Sequence, residues 1–362
     1  MIGKARLLAL LGALSVLFAW GLTLAGFPAA FLVGPMVAAI LLAVSGATIP
    51  LDRRLPPIAQ AIIGQLMAHS LTLRVLHEVA DHWVIFLSGV FSVIILSFTL
   101  GWVLARLRVM PGNVALWGAS PGAATAMTLL CETYGADQRL VAFMAYLRVL
   151  LVTLATSLIS HFVAGTHAHG GLLPVTAAPA LPWWPCLAVV AATLLIAPVL
   201  RLGAAPLLLG LAGGLIVQTG FGFHYRLPVW LLAPSYVVIG WMIGRRFTQD
   251  VLRHVWRALP AVTLSTGVLI GGCALLSWPL AHIAHVDLLS AYLATSPGGA
   301  DSVAIIAAST PIDMPFVMAM QIARFMVLML IAPGIATFLT RFLPDDPLAA
   351  SSQAGRKPDN AC

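Results

Sequence analysis

The sequence contains very little charge. Of its 362 residues only 9% are Asp, Glu, Lys or Arg, whereas 60% are hydrophobic, and the mean hydropathy is +1.00. A soluble domain carries about 25% charged residues because its surface must be hydrated. This shortage of charge excludes an ordinary soluble protein. The long apolar runs, such as 83–105 and 187–199, instead predict the membrane spans of a polytopic protein.

Cysteines and other residues that could form a reactive centre are also few. The four cysteines are far apart in the chain, so they predict neither a disulfide framework nor a metal cluster. They are Cys131, Cys186, Cys273 and Cys362. No group of His, Asp or Glu has the spacing of a copper or iron site. No base stands beside Ser120 or Ser296 in the sequence, as nucleophilic catalysis would require. We therefore expect no catalytic residue, no metal and no cofactor.

Acidic residues are outnumbered by basic ones. Twelve Asp and Glu stand against 19 Lys and Arg, which gives a net charge of +7. In a soluble protein this balance would indicate a nucleic-acid partner. Here the arginines lie in short loops between apolar runs, and no helix-turn-helix, zinc or basic-leucine pattern is present. We expect the partners to be the lipid bilayer and a small-molecule or ion substrate, with no direct binding of nucleic acid. Assembly into a homo-oligomer is left open.

One short motif occurs twice. Ser120-Pro121-Gly122 is repeated as Ser296-Pro297-Gly298, and the offset of 176 residues also relates Arg148 to Arg324. Because this one register joins many other positions without a gap, it indicates an internal duplication. The predicted parts of the chain are a first repeat over 1–164, a linker rich in Gly, His, Pro and Ala over 165–182, a second repeat over 183–341 and a disordered cytoplasmic tail over 342–362.

Each repeat predicts five membrane spans and one interrupted apolar segment. The predicted spans are 7–25, 28–48, 58–73, 83–105 and 140–163, then 184–201, 205–222, 231–247, 259–281 and 315–340, with interrupted segments at 111–134 and 288–310. With five crossings per repeat and a re-entrant interrupted segment, nearly all the loop arginines face the cytoplasm. With six crossings they would lie on both sides. The positive-inside rule therefore favours an all-α fold of about ten transmembrane helices, built as two inverted five-helix repeats. Both termini are then cytoplasmic.

The repeated motif is expected to break a helix inside the membrane. Proline removes a backbone donor and clashes with the preceding turn. The freed backbone groups cannot face lipid, so they must pack in protein or line a wet cavity. Helix N-termini that follow the breaks would suit an anion, and freed carbonyl groups before them would suit a cation. The expected substrate-binding residues at the breaks are Ser120, Pro121, Gly122, Ser296, Pro297, Gly298 and Gly299.

Arg148 and Arg324 lie near the middle of predicted spans. An arginine at the centre of a span costs about 2.5–3.5 kcal/mol on insertion scales, so it faces the protein interior and has a partner. One interpretation is that both arginines face the breaks and help to bind an anionic or polar substrate. The alternative is that each ties its helix to loop carbonyl groups, or pairs with an acid such as Asp301. The sequence leaves both open.

Three acidic residues lie next to these features. Asp301 follows the second break, where the first repeat has Thr125, and it is either the residue that couples a proton or sodium ion or a capping acid in the first turn of a helix. Asp137 and Asp313 immediately precede the arginine-bearing spans. We interpret them as N-terminal caps of those helices.

The duplicated unit resembles the AbrB-type bacterial membrane proteins. The likeness covers about 10–340 and is carried by the stretch 31–35 (FLVGP), by Ile63-Gly64, by the Ser120-Pro121-Gly122 break and by the segment from Asp137 to Arg148. It implies an inner-membrane protein whose relatives are labelled "ammonia monooxygenase" or described as regulators of aidB expression. The monooxygenase label would need metal ligands that the sequence lacks. At the level of fold, the repeat is also similar to cation/proton antiporters and bile-acid-symporter-like transporters.

Three functions remain as hypotheses. The first is a secondary transporter, or a transporter-like sensor, for a small anionic solute. The alternative is an AbrB-type membrane protein that regulates gene expression indirectly and transports nothing. The third is a membrane monooxygenase, as the family label says.

Overall fold

The regular structure of this protein is helical throughout the part that can be described. A computed structural model describes residues 4–27, 29–71, 81, 83–107, 112–121, 131, 138–164, 182–200, 205–223, 225, 227–256 and 259–340. The helices of the first half are α1 (Lys4–Leu24), α2 (Ala30–Val44), α3 (Leu55–Ser70), α4 (Trp83–Arg106), α5 (Gly112–Ala119) and α6 (Gln138–Ala164). The predicted segment 122–130, most of the linker and the tail from 341 onward lie outside these residues.

The second half repeats these helices. They are α7 (Trp184–Leu200), α8 (Ala205–Leu215) with a π-helical turn at Ile216–Gly220, α9 (Val229–Gly244), α10 (Gln249–Val255), α11 (Leu259–Ala284), α12 (Leu288–Thr295), α13 (Ala300–Ala308) and α14 (Met314–Thr340). Both ends of α5 and α12 differ by 176 residues, and so do both ends of α6 and α14. The turns after α2 and α8 also match, because each contains a glycine with positive φ, at Gly46 (88°) and Gly222 (64°).

Several helices are long and apolar enough to cross a membrane. Within the described ranges four meet this condition by length and composition, namely Ala5–Leu24, Trp83–Arg106, Leu140–Phe162 and Leu259–Ala284. The outer surface is correspondingly apolar, since Leu195, Val199 and Leu275 are 78–79% exposed. Water does not tolerate such a surface over whole helices, whereas lipid does. The all-helical, membrane-type fold predicted from the composition is therefore confirmed.

The helices pack in two groups, and each group takes members from both halves. The frame group consists of α1, α2 and α3 with α7, α8 and α9, and the break group consists of α4, α5 and α6 with α11, α12, α13 and α14. In the frame group α3 packs on α8, and α2 packs on α9 in the corresponding way. In the break group α6 packs on α11, and α14 packs on α4. The two groups meet where α3 contacts α13 and α14, and where α6 contacts α9.

Glycines allow the frame helices to approach closely. A Cβ atom at Gly64 would lie 2.2 Å from the carbonyl oxygen of Leu207, and one at Gly240 would lie 2.6 Å from the carbonyl oxygen of Leu32. Neither distance is sterically allowed, so only glycine fits at these contacts. Gly64 and Gly240 are separated by the same 176 residues. Small residues promote this kind of backbone contact between membrane helices.

Candidate functional site

The second interrupted segment is a hairpin of two short helices. Its first helix, α12, begins with the Asp287 side chain accepting a hydrogen bond from the backbone N–H of Ser290 at 2.8 Å. After the break and α13, the backbone N–H of Asp313 donates to Oγ of the same Ser290 at 2.8 Å. The segment therefore returns to the point at which it entered. Ser296, Pro297, Gly298 and Gly299 form the tip of this hairpin, where all four are buried.

The first break has the same position relative to its neighbours. Helix α5 ends at Ala119 and is followed by Ser120 and Pro121, which are both buried. The hydroxyl of Ser97 on α4 donates to the carbonyl oxygen of Ala119 at 2.7 Å. In the second half, Thr295 on α12 donates to the carbonyl oxygen of Cys273 on α11 at 3.2 Å. These are the same two positions in each repeat, with donor and acceptor exchanged.

Arg148 lies against the first break. It belongs to α6 and is only 2% exposed. Its Nη1 atom donates to the carbonyl oxygens of Gly118 at 3.3 Å, Ala119 at 3.0 Å and Ser120. These carbonyl groups lie at the C-terminal end of α5, where a helix has acceptors without intrahelical partners and a partial negative charge. The guanidinium group therefore binds the carbonyl groups around the break.

Arg324 holds the second break with more donors. It is 3% exposed on α14, and its Nη1 and Nη2 atoms donate to the carbonyl oxygens of Ser296 at 2.6 Å and Gly298 at 3.1 Å. Nη2 also donates to Oε1 of Gln321. The amide nitrogen of Gln321 donates in turn to the carbonyl oxygens of Leu293 at 2.8 Å and Ser296 at 3.4 Å. An arginine and a glutamine thus bind this break together.

Gln321 was not predicted as a site residue. The signal was present in the sequence, because Gln321 is an amide in an apolar helix, three residues before Arg324. A spacing of three places both side chains on one face of a helix. In the first half the corresponding position is Ala145, so the arrangement occurs in one repeat only.

The two arginines lie close enough to influence each other. The charge of Arg324 acts on Arg148, and the fully buried Cys273 of α11 interacts with both guanidinium groups. In the described part of the chain, the hydrogen-bond partners of Arg324 are neutral oxygen atoms of two carbonyl groups and one amide. Neutral partners orient the guanidinium group but leave its charge in place. A positive potential therefore surrounds the second break.

Other predicted residues can be placed less fully. The backbone of Asp301 lies in the first turn of α13, and its side chain is outside the described part, as are Gly122 and Asp137. Asp313 accepts a hydrogen bond from the backbone N–H of Phe316 at 3.0 Å. This contact confirms the prediction that Asp313 caps the arginine-bearing helix of the second half.

No metal centre is evident where the coordinates can be described. Over those residues, no three His, Cys, Asp or Glu side chains are grouped closely enough to hold a metal ion. The three cysteines that can be described, Cys131, Cys186 and Cys273, are free and buried. The polar chemistry assembled at the breaks consists of guanidinium, amide, hydroxyl and backbone carbonyl groups.

Long apolar helices packed around two interrupted helices with buried arginines define a helical membrane protein. Comparison with known proteins gives its family. The family described as "Transition state regulatory protein AbrB" matches residues 31–340, and the chain belongs to this family.

Two relatives span most of the chain. A protein of Escherichia coli (strain K12) named "Putative regulator AbrB" is 40% identical over 341 residues, which cover 91% of this chain and 96% of the relative. A protein of Bacillus subtilis (strain 168) named "Uncharacterized protein YhjN" is 26% identical over 303 residues, 78% of each chain. The printed names contain a regulator and no enzyme. The resemblance predicted from the repeated motifs is therefore confirmed.

Proposed function

We propose that this protein is a secondary transporter, or a sensor built like one, for a small anionic solute in the inner membrane. In this proposal the chain crosses the membrane about ten times, as two inverted repeats of five spans with one re-entrant hairpin each. The matching helix boundaries and the exchanged contacts between the halves support two copies of one unit. The hairpin geometry of α12 and α13 supports re-entry, because a segment whose two ends touch leaves on the side from which it came.

The observation that carries the choice of an anion is the uncompensated charge at the second break. Arg324 is buried, and its described hydrogen-bond partners are neutral. Helix α13 begins at the same place, just after Gly299, and the N–H groups of its first turn have no intrahelical acceptors. A helix N-terminus next to a guanidinium group favours a carboxylate, a phosphate or a similar anion. Arg324 sets the potential in this scheme, while its N–H groups hold the hairpin tip.

The division into two groups of helices supports transport rather than passive binding. The breaks belong to one group, and they lie near the contacts of α3 with α13 and α14. A rigid-body movement of one group against the other would expose the breaks to each side of the membrane in turn. No bond is made or broken in the solute, so the proposal assigns the chain no enzymatic step.

The inverted arrangement can be tested with two matched cysteines. Ser45 and Phe221 are exposed residues in the equivalent turns after α2 and α8. In a variant without the four native cysteines, Ser45→Cys and Phe221→Cys are introduced singly and labelled in intact cells with a membrane-impermeant maleimide. Inverted repeats predict labelling of Phe221→Cys from outside and of Ser45→Cys only after the cells are opened. Labelling of both from the same side would mean parallel repeats.

The solute class is tested by binding and flux. Purified protein is screened by thermal shift against sets of small carboxylates, phosphates, amines and neutral metabolites, because a ligand that binds the folded state raises the melting temperature. We expect stabilisation by one or more anions, and uptake of the same anion into proteoliposomes. Arg324→Lys keeps the charge and serves as the matched control for Arg324→Gln. Stabilisation by amines alone, equal in the wild type and Arg324→Gln, would refute an anion site.

Indirect regulation of gene expression without transport is the second candidate. It is favoured by the name of the Escherichia coli relative, which describes a regulator. In that case a partner would act on the cytoplasmic loops, and a stabilising solute would bind without being moved. Binding in the thermal-shift screen with no flux in proteoliposomes, together with changed transcript levels in a deletion strain, would favour this function.

A further inference from the structure

Beyond Arg148, helix α6 carries a buried row of hydroxyl groups. They belong to Thr153, Thr156, Ser157 and Ser160, which are at most 1% exposed. Spacings of three, four and seven residues place them on one face of the helix, here called the hydroxyl face. The corresponding residues of α14 are Met329, Ala332, Pro333 and Ala336. The row is therefore a property of the first half alone and not of the duplicated unit.

Two of these hydroxyl groups lack a hydrogen bond. Thr156 donates to the carbonyl oxygen of Val152 at 2.6 Å, as hydroxyl residues in membrane helices commonly do. Thr153 and Ser160 are equally buried, yet their hydroxyl oxygens have no hydrogen-bond partner among the described residues. Buried hydroxyl groups normally find a partner in protein or ordered water. A face of this kind is better suited to water or a polar solute than to hydrocarbon.

A tyrosine from the second break faces the same row. Tyr292 of α12 is 3% exposed, and its hydroxyl group approaches that of Thr156 without reaching hydrogen-bond geometry. Its hydroxyl group also has no hydrogen bond within the described chain. The polar atoms without partners thus come from two different helices, α6 and α12, and converge between them.

The hydroxyl face begins at the second break. A Cβ atom at Gly298 would lie 3.2 Å from Cγ1 of Val152, so the hairpin tip touches α6 one turn after Arg148. From there the face continues to Ser160, four residues before α6 ends at Ala164. At a rise of about 1.5 Å per residue, Val152 and Ser160 are about 12 Å apart along the helix. The row connects the break to one end of the helix.

We propose that the hydroxyl face of α6, together with Tyr292, lines the aqueous route between the second break and the side of the membrane where α6 ends. The inference rests on the proposed function, since it supplies the access path for its solute. The route is closed in this structure, because its side chains are buried between α6 and the helices α11 and α12 that pack on it. It opens when those helices separate and water hydrates the hydroxyl groups.

The test measures water access at matched positions on α6. In the variant without native cysteines, Thr153→Cys and Ser160→Cys are compared with Leu154→Cys and Leu158→Cys, whose side chains are 38% and 45% exposed on the outer surface. Each pair lies at nearly the same depth on different faces of the helix. The probe is the anionic reagent sulfonatoethyl methanethiosulfonate, applied to protein in lipid vesicles. Only a thiol that reaches water can ionise and react with it.

We expect both hydroxyl-face cysteines to react about tenfold or more faster than their lipid-facing controls. Equal rates at the two faces would overturn the inference. Reaction of Ser160→Cys alone would overturn it as well, because a position near the helix end needs no route. If Thr153→Cys does not accumulate in the membrane, Ser157→Cys takes its place. Leu328→Cys, at a fully buried position on α14, should stay unreactive.

This readout is independent of the solute. Fast modification with no flux of any anion would support the route and count against transport. Flux that is unchanged in Thr153→Val and Ser160→Ala, with slow modification at both cysteines, would support transport by another path. The two proposals can therefore fail separately.

Discussion

The two breaks have the same motif but are held differently. At the first break one nitrogen atom of Arg148 meets three carbonyl oxygens. At the second break Arg324 shares the carbonyl groups with Gln321, and the hairpin is closed at its base by Asp287 and Ser290. The first half has Ala145 where the second has Gln321. The first break therefore depends on a single side chain, whereas the second has a network.

Features shared by both halves differ in kind from features found in one. The glycine contacts of the frame group and the matching helix boundaries occur twice, and they set how the helices pack. Gln321 and the hydroxyl face of α6 occur once, and they are polar groups around the breaks. Duplicated features thus build the scaffold, and single ones specialise each half. The following changes test this distinction, from the largest expected effect to the smallest.

Gly64→Ala and Gly240→Ala should each destabilise the protein strongly and by similar amounts. A methyl group at either position collides with backbone rather than with a flexible side chain, so two helices must move apart. We expect a loss of about 3 kcal/mol in unfolding free energy, at the upper end for overpacking. Thermal unfolding in detergent measures it, with Gly12→Ala and Gly267→Ala, which meet no atom within 4 Å, as controls. A large effect at only one of the two would show that the halves do not share one scaffold.

Arg148→Met should cost more stability than Arg324→Met. Removing Arg148 deprives the three carbonyl groups of its donor, whereas Gln321 continues to donate to the carbonyl oxygen of Ser296 after Arg324 is removed. We expect losses of about 3 and about 1–2 kcal/mol, because a buried acceptor left unsatisfied costs about 1–3 kcal/mol. The exposed Arg53→Met is the control for loss of a positive charge. Equal melting temperatures for both arginine variants would contradict the difference between the breaks.

Gln321→Leu should destabilise the protein by about 1–2 kcal/mol, from the loss of the hydrogen bonds at Leu293 and Ser296. Combined with Arg324→Met, the loss should exceed the sum of the single variants, since each residue then lacks its substitute. Double-mutant cycles for residues in one network give coupling energies of about 0.5–3 kcal/mol. Additive losses would mean that the two side chains act on the hairpin independently.

Asp287→Ala should have the smallest effect, a loss of about 1 kcal/mol that is confined to the hairpin. Asp287 caps α12 through the N–H of Ser290, and removal of an N-cap costs about 0.5–2 kcal/mol. Hydrogen exchange should speed up for the amides of α12 and not for those of α4. Asp287→Asn keeps an acceptor and should exchange like the wild type. Faster exchange throughout the protein would show that the cap supports more than the hairpin.

Much of the fold followed from the sequence because the duplication is gapless and the spans are apolar. The predicted spans lie on the observed helices, and the interruption in 288–310 lies between α12 and α13. The placement of Arg148 and Arg324 against the breaks also followed, since a buried charge must find polar atoms and the breaks provide them. What the arginines do beyond binding those carbonyl groups stays a prediction, as does the role of Asp301 in ion coupling.

The grouping of helices and the role of Gln321 did not follow from the sequence. In a helix that is apolar all round, periodicity does not distinguish the face toward protein from the face toward lipid. The hydrogen-bond partners of Gln321 are 25 and 28 residues away and become visible only once α12 is folded against α14. The exchange of donor and acceptor between Ser97–Ala119 and Thr295–Cys273 was hidden for the same reason, because different residue types occupy the equivalent positions.

The mixing of the two halves within each group has a consequence for biosynthesis. When the ribosome has completed the first half, Gly64 of α3 still lacks its contact at Leu207, and α4 lacks α11 and α14. The early helices must wait in the bilayer, near the insertion machinery, until the later ones arrive. Neither half is a folding unit by itself, and a polypeptide cut in the linker should mature only when both fragments are synthesised in the same cell.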